Sequence, residues 1–198
     1  MSSLSDRRAA FREFAQHDGP KWINVLQESV PDSWKHTHCL YIDPGSFNNE
    51  NERRLDVFFG NRPLPSETEE GGKLVYTQAV DGSVACQIYP FYTPSRRPHE
   101  RGIVIAIYSS PRKLTFERVS GHFSKFLAYS RVSMIDGNPS VFDFMRIALL
   151  RSIGRPIIGG AAKRYDMQRL QGWFFNVGLS GLVIAVVTAL LTWWSLSK

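Results

Sequence analysis

Apolar residues recur at helical spacing near the start of the chain and predict two short helices. The first covers Ser5 to His17, where Phe11 and Phe14 lie on one side and Gly19 with Pro20 follows the end. The second covers Lys21 to Glu28, before a break at Pro31. We expect this second helix to bury three apolar side chains, Trp22, Val25 and Leu26.

The period then changes to that of β-strands. Short runs rich in Val, Ile, Phe and Tyr predict five strands. Two of them flank Asp81-Gly82-Ser83, and an Asp-Gly turn between strand-like runs is a strong hairpin signal, so the sheet is expected to be mostly antiparallel. The predicted strands are His38 to Ile42, Leu55 to Phe59, Leu74 to Val80, Val84 to Phe91 and Ile103 to Tyr108.

Helical spacing returns after the strands. It predicts a long helix over Leu114 to Met134, ended by Gly137-Asn138-Pro139, and a second over Ser140 to Ile153 that is apolar around most of its circumference. Strands grouped in the middle with helices before and after favour an α+β fold, a small and mostly antiparallel sheet with flanking helices. We expect the second helix to be buried by packing rather than to lie in a membrane interface.

A long apolar run follows this domain. Trp173 to Trp194 contains no charged residue and is long enough, as a helix, to cross roughly 30 Å of hydrocarbon. We therefore predict an α+β domain over residues 1–153, a basic juxtamembrane linker over 154–172 and a single C-terminal transmembrane helix over 173–194. Gly154 to Ala162, with three glycines and a proline, is the most linker-like segment.

The distribution of positive charge predicts the orientation. The chain has 24 Lys and Arg against 18 Asp and Glu, and only Lys198 follows the apolar run. An excess of Lys and Arg marks the cytoplasmic side of a span, so we expect the N-terminal domain in the cytoplasm and Cys39 and Cys86 as free thiols in or near the core. Such cations also attract anionic lipids of the bilayer. Six of them precede the run: Arg146, Arg151, Arg155, Lys163, Arg164 and Arg169.

Small residues follow one side of the predicted transmembrane helix. Small side chains at a spacing of four allow a second helix to approach closely, which favours a homo-oligomer. A monomeric anchor with ordinary small residues is the alternative. The predicted helix-packing residues are Gly178, Gly181, Ala185 and Ala189.

The segment from Tyr89 to Arg101 combines aromatic and cationic side chains. Arginine binds phosphate with two parallel hydrogen bonds and aromatic rings stack on bases, so the segment predicts a site for an anionic ligand such as a nucleotide. A solvated surface connection is the alternative. The candidate ligand-binding residues are Tyr89, Tyr92, Arg96, Arg97, His99 and Arg101.

Other candidate chemistry is sparse. His36 and His38 would share a face on a strand, but two histidines are too few for a metal site, so we predict no metal and no cofactor. Glu67 to Glu70 with the two following glycines indicates an exposed turn, and His122 indicates a helix-surface or packing residue. The sequence contains no GxSxG, HExxH, P-loop or GxGxxG motif.

These features favour a membrane-anchored binding or sensing domain over an enzyme. In its strongest form the hypothesis is a ligand-gated membrane effector in a stress or antiviral response. Two alternatives belong to other classes. One is a membrane-tethered hydrolase or nuclease whose acid and base residues come from separate strands. The other is a scaffold that docks a protein partner on its sheet.

Overall fold

The computed structural model describes residues 3–45, 53–95, 100–158 and 161–162. A π-helical turn at Phe14–Asp18 joins the first two helices, and 3-10 turns lie at Gln27–Ser29 and Pro111–Lys113. The helices are α1 (Leu4–Glu13), α2 (Gly19–Leu26), α3 (Asp32–Thr37), α4 (Phe116–Ser133) and α5 (Val141–Ile153).

Nine strands lie within the described residues, and seven of them form one sheet. They are β1 (Leu40–Asp43), β2 (Arg54–Phe59), β3 (Arg62–Pro63), β4 (Thr68–Glu69), β5 (Lys73–Gln78), β6 (Val84–Tyr89), β7 (Gly102–Tyr108), β8 (Arg155–Ile158) and β9 (Ala161–Ala162). The order in the main sheet is β1-β2-β5-β6-β7-β8-β9, with every neighbouring pair antiparallel. Strands β3 and β4 pair with each other.

Local sequence explains where two of the helices begin. Ser3 caps α1 and Ser140 caps α5, each by accepting a hydrogen bond from the backbone N–H three residues on. In both cases the aspartate at that third position, Asp6 or Asp143, accepts in return from the backbone N–H of the serine. This reciprocal capping satisfies donors that the first helical turn leaves without a partner.

The β5–β6 hairpin sets the register of the sheet. Gln78 pairs with Val84 across the turn, and Gly82 adopts a φ of 79°, which a side chain at that position would disfavour. On the face of β5 and β6 that the helices cover, the side chains of Leu74, Tyr76 and Cys86 are fully buried. The residues that alternate with these along each strand point to the opposite face of the sheet, away from the helices.

All five helices pack on the same face of the sheet. Phe14 meets Tyr76 edge-on with ring centroids 5.3 Å apart, and Trp34 of α3 meets Phe59 edge-on at 5.8 Å. In α4, Phe126 stacks on Phe59 at 5.4 Å. The core therefore lies between one layer of helices and one face of the sheet.

The predicted α+β class with an antiparallel sheet is confirmed, and so are the five predicted strands and four predicted helices, with shifted ends. The short helix α3 was missed, because Pro31-Asp32-Ser33 indicated only a break. In α2, Ile23 is buried while the predicted core residue Val25 is exposed.

The predicted linker is wrong at its start. Residues 155–158 form β8, which pairs with β7, and the backbone N–H of Arg101 donates to the carbonyl oxygen of Ile157 at 2.9 Å. Pro156 is compatible with a strand near a sheet edge, because β8 pairs with β7 over only three residues and its other partner, β9, has two residues. The remainder of the predicted linker, residues 163–172, and the predicted transmembrane helix lie outside the described residues.

Candidate functional site

The predicted anionic-ligand segment leaves β6 and returns at β7. The structure describes Tyr89 at the end of β6, Tyr92 in an isolated bridge with Glu70, and Arg101 just before β7. Arg101 is exposed. Three of the predicted ligand-binding residues, Arg96, Arg97 and His99, lie outside the described residues.

Ser95, the last described residue before Arg96, is bound by a carboxylate. The backbone N–H of Ser95 donates to Oε2 of Glu67 at 3.0 Å, and the Ser95 hydroxyl donates to Oε1 of the same side chain. Glu67 lies next to the two-stranded β3–β4 unit. Residue 95 is thus attached to an element far from it in sequence.

Glu100, the first described residue after His99, belongs to a buried polar cluster. The carboxylate of Glu100 is buried and accepts from the Tyr129 hydroxyl at 2.6 Å and from Nε of Arg151 at 2.7 Å. Burial, together with the negative charge of Glu100, raises the pKa of Tyr129 well above its usual range. The described residues on both sides of the arginine-containing segment therefore have fixed partners in α4, α5 and the β3–β4 region.

Tyr89, the first residue of the predicted ligand-binding segment, is positioned by the sheet. Its hydroxyl donates to Oε1 of Gln87 at 2.6 Å, and its ring lies against Gly102, where an added Cβ would come within 2.8 Å of the ring. Burial and the nearby charge of Asp56 raise the pKa of Tyr89, so the phenol stays protonated. The phenolic proton is thus engaged with Gln87, and the ring is the part of Tyr89 that could stack on an aromatic group of a ligand.

Tyr89 belongs to the sheet face that the described helices leave uncovered. Tyr41 and Phe58 stack on this face with ring centroids 5.4 Å apart. Asp56 also lies there, and burial raises its pKa. This face combines aromatic, acidic and basic side chains.

Sequence reasoning missed the most buried ionic cluster. Glu69 is fully buried, whereas the sequence predicted an exposed turn there. Its Oε1 accepts from the backbone N–H of Ile135 at 2.8 Å, and its Oε2 lies 3.1 Å from Nη2 of Arg62 and 3.6 Å from Nε2 of His38. Buried charges are retained when they are paired in this way. The cluster joins the β3–β4 unit to the end of α4.

A second buried cluster centres on His122. Tyr76 and Tyr108 place their hydroxyl oxygens 3.1 Å from Nδ1 and 2.9 Å from Nε2 of the imidazole. Burial, followed by the positive charges of Lys125 and Arg118, lowers the pKa of His122 to about 4. The neutral ring donates to one tyrosine and accepts from the other, in agreement with its predicted packing role.

The positions of the cysteines and of two histidines differ from the prediction in two respects. Both thiols are free, but Cys39 is exposed and only Cys86 lies in the core. Burial raises the pKa of Cys86 well above its usual range. His36 lies in α3 and His38 follows its end, so the predicted shared strand face does not form.

The outward side of α5 is apolar and exposed. Ile147 and Leu150 pack into the core, while residues on the opposite side have no covering element among those described. Phe142 is 80% exposed, Met145 62% and Ile153 76%. We define the α5 apolar face as Val141, Phe142, Met145, Leu149 and Ile153.

The described residues lack two further features. No group of three or more His, Cys, Asp or Glu side chains there has the arrangement of a metal site. None of the helices in that part of the chain is both long and apolar enough to cross a membrane. Comparisons with protein-family models, curated proteins and solved structures find no match.

Proposed function

We propose that this chain is a membrane-anchored binding or sensing domain, with a non-catalytic, anion-binding segment between β6 and β7. The observation that carries the proposal is the double attachment of that segment. Ser95 is held by Glu67, and Glu100 is held by Tyr129 and Arg151. Four residues with three basic side chains lie between these two points in the sequence. Because the residues on either side are already held, a ligand that contacts them has less entropy to overcome.

The adjacent described residues support an anion with an aromatic part. Tyr89 offers a ring, and Arg101 offers an exposed guanidinium. A guanidinium recognises phosphate oxygens in a bidentate manner, and a ring gives a base a surface to stack on. A nucleotide meets both requirements.

The binding test uses a fluorescent ATP analogue and the full chain in detergent micelles. We expect Arg96→Ala with Arg97→Ala to weaken binding at least about tenfold, since two phosphate-binding charges are removed. Lys21→Ala with Arg112→Ala removes the same net charge elsewhere and is the matched control. Equal affinity of the two double variants, or no binding by the unaltered chain, would reject the nucleotide site.

The membrane part of the proposal rests on the apolar run from Trp173 to Trp194 and on the cations before it. We expect the full chain to resist extraction by alkaline carbonate and to expose its N-terminal domain to protease added from the cytoplasmic side. Val183→Arg with Val187→Arg places two charges in the run and should make the chain extractable. Extraction of the unaltered chain would contradict the anchor.

In this proposal the bound ligand acts by favouring one state of a homo-oligomer formed through the C-terminal helix. A ligand shifts such an equilibrium only if it binds one state more tightly than the other. We therefore expect the nucleotide analogue to change the copy number of the full chain, measured by native mass spectrometry. An unchanged copy number at saturating analogue would restrict the function to binding.

A further inference from the structure

We propose that the α5 apolar face is a second membrane-contact surface, which lies flat in the headgroup region of an anionic bilayer. The inference rests on the proposed membrane attachment, because it concerns how the domain contacts the same bilayer. It corrects the expectation that packing buries this helix. Only one side of α5 packs against the domain.

The shape of the face is that of an interfacial helix. At about 100° per residue, the five residues of the α5 apolar face fall within an arc of about 120°. Ser152 also lies in this arc, with its hydroxyl bound to the Ala148 carbonyl oxygen at 2.8 Å. Apolar arcs of this kind on helices with basic borders enter the boundary between headgroups and acyl chains. A phenylalanine, a methionine and three aliphatic residues supply the insertion surface.

Arginines border the arc on its two sides. Arg146 lies on one border and Arg151 on the other, beyond Phe144, which is itself half exposed. Nε of Arg151 is ion-paired with Glu100 at 2.7 Å, so its charge is already balanced within the domain. Nη1 of Arg146 donates only to the neutral hydroxyl of Ser124 at 3.1 Å. A long basic side chain in this position keeps its apolar stem beside the acyl region and its charge among the phosphates.

Charge also favours a lipid surface over a second copy of the chain. The single carboxylate of α5, Asp143, is turned inward and bound to Ser140 and Arg131. Twofold pairing of two α5 helices would bring the Arg146 side chains of the two copies together with no carboxylate of α5 between them, and like charges facing each other across an interface are unfavourable. An anionic bilayer complements the charge of Arg146.

α5 lies close in sequence to the predicted span. After α5 the chain forms β8, which contacts α5, and then β9. Residues 163–172 separate β9 from the predicted span, a connection that reaches at most ~36 Å when fully extended.

The test attaches an environment-sensitive NBD fluorophore to one cysteine of the full chain. Cys39→Ser removes the exposed thiol, and Cys86 remains because it is buried and its raised pKa keeps it unreactive. Met145→Cys places the label at the centre of the α5 apolar face. Val80→Cys is the matched control, since Val80 is 76% exposed in the β5–β6 turn at the other end of the sheet.

The labelled chains are placed in vesicles of phosphatidylcholine with phosphatidylserine, with and without quencher-bearing lipids. We expect lipid quenching of the Met145 label at least about threefold stronger than that of the Val80 label. Equal quenching at the two positions would overturn the inference. The inference would also be overturned if the label at Met145 became more shielded from water as the protein concentration rose but was not quenched by lipid. That outcome would assign the face to a second copy of the chain.

Two further measurements separate this inference from the proposed anchor. Carbonate extraction of the labelled chain reports on the C-terminal span independently of the label. The second measurement uses a chain that already carries Val183→Arg and Val187→Arg. Adding Met145→Ser with Leu149→Ser should lower the residual affinity of this chain for anionic vesicles at least about fivefold. Retention of that affinity would assign it to the basic residues alone and reject insertion of α5.

Discussion

His122 is a buried titratable group whose ionisation should affect stability. In the folded chain its pKa is lowered from 6.5 to about 4. An unfolded chain takes up the proton at a higher pH than the folded chain, so acidification from about pH 7 to about pH 4 progressively favours unfolding. The full shift corresponds to about 3 kcal/mol in the free energy of unfolding.

We expect His122→Gln to remove this part of the pH dependence. Glutamine retains a donor and an acceptor for Tyr76 and Tyr108 but does not titrate. Urea unfolding of the full chain in detergent at about pH 7.5 and about pH 4.5, followed by tryptophan fluorescence, measures the effect. Between these pH values the unaltered chain should lose about 2–3 kcal/mol more than the variant. Equal losses would show that His122 is protonated in the folded chain.

At the residue scale, sequence reasoning placed the hydrophobic core better than the polar interior. Periodicity predicts that Phe11 and Phe123 are buried, because burial of apolar side chains follows the repeat of the helix. No repeat predicts that Glu69 is buried, because its burial depends on Arg62 and His38 arriving from other elements. The charged pattern of Glu67 to Glu70 indicated the opposite.

At the scale of elements, the connection between β4 and β5 depends on one glycine. A Cβ added to Gly71 would lie 1.7 Å from the carbonyl oxygen of Phe59, and this obstacle is backbone. The adjacent hydrogen bond from the Phe59 N–H to the Gly72 carbonyl, at 3.0 Å, keeps the two segments together. Any side chain at Gly71 must displace one of them.

We expect Gly71→Ala to destabilise the chain by at least about 2 kcal/mol, measured by thermal unfolding in detergent. Gly121→Ala is the matched control. Gly121 lies inside α4 with nothing within 4 Å of an added Cβ, so the same substitution should stabilise the chain by about 0.5–1 kcal/mol. A similar effect of both substitutions would contradict the close approach at Gly71.

The elements that sequence reasoning missed are those that depend on neighbours. Strands β8 and β9 complete a sheet edge, and the Gly- and Pro-containing segment in which they lie has no strand period. For α5, the sequence predicted the helix and its apolar circumference. The side that packs was decided by Ile147 and Leu150 meeting the domain, which leaves the α5 apolar face outward.

At the scale of the whole molecule, our proposal assigns self-association to the predicted C-terminal helix. We expect Gly181→Leu with Ala185→Leu to convert an oligomer of the full chain into a monomer, since bulky side chains prevent close approach of helices. Val183→Leu with Val187→Leu changes positions on the other side of the predicted helix and should leave the oligomer intact. Native mass spectrometry from mild detergent measures both, and a shared copy number for the two variants would exclude this face as the interface.

The α+β class, the hairpin and the long apolar run follow from the sequence by itself, because period, turn chemistry and the absence of charge are properties of neighbouring residues. Contacts between distant segments decided the rest. Attachment of Ser95 to Glu67 and of Glu100 to Tyr129 joins residues that are 28 and 29 positions apart. Only the packed domain brings such groups within hydrogen-bonding distance, and only that packing leaves one side of α5 exposed.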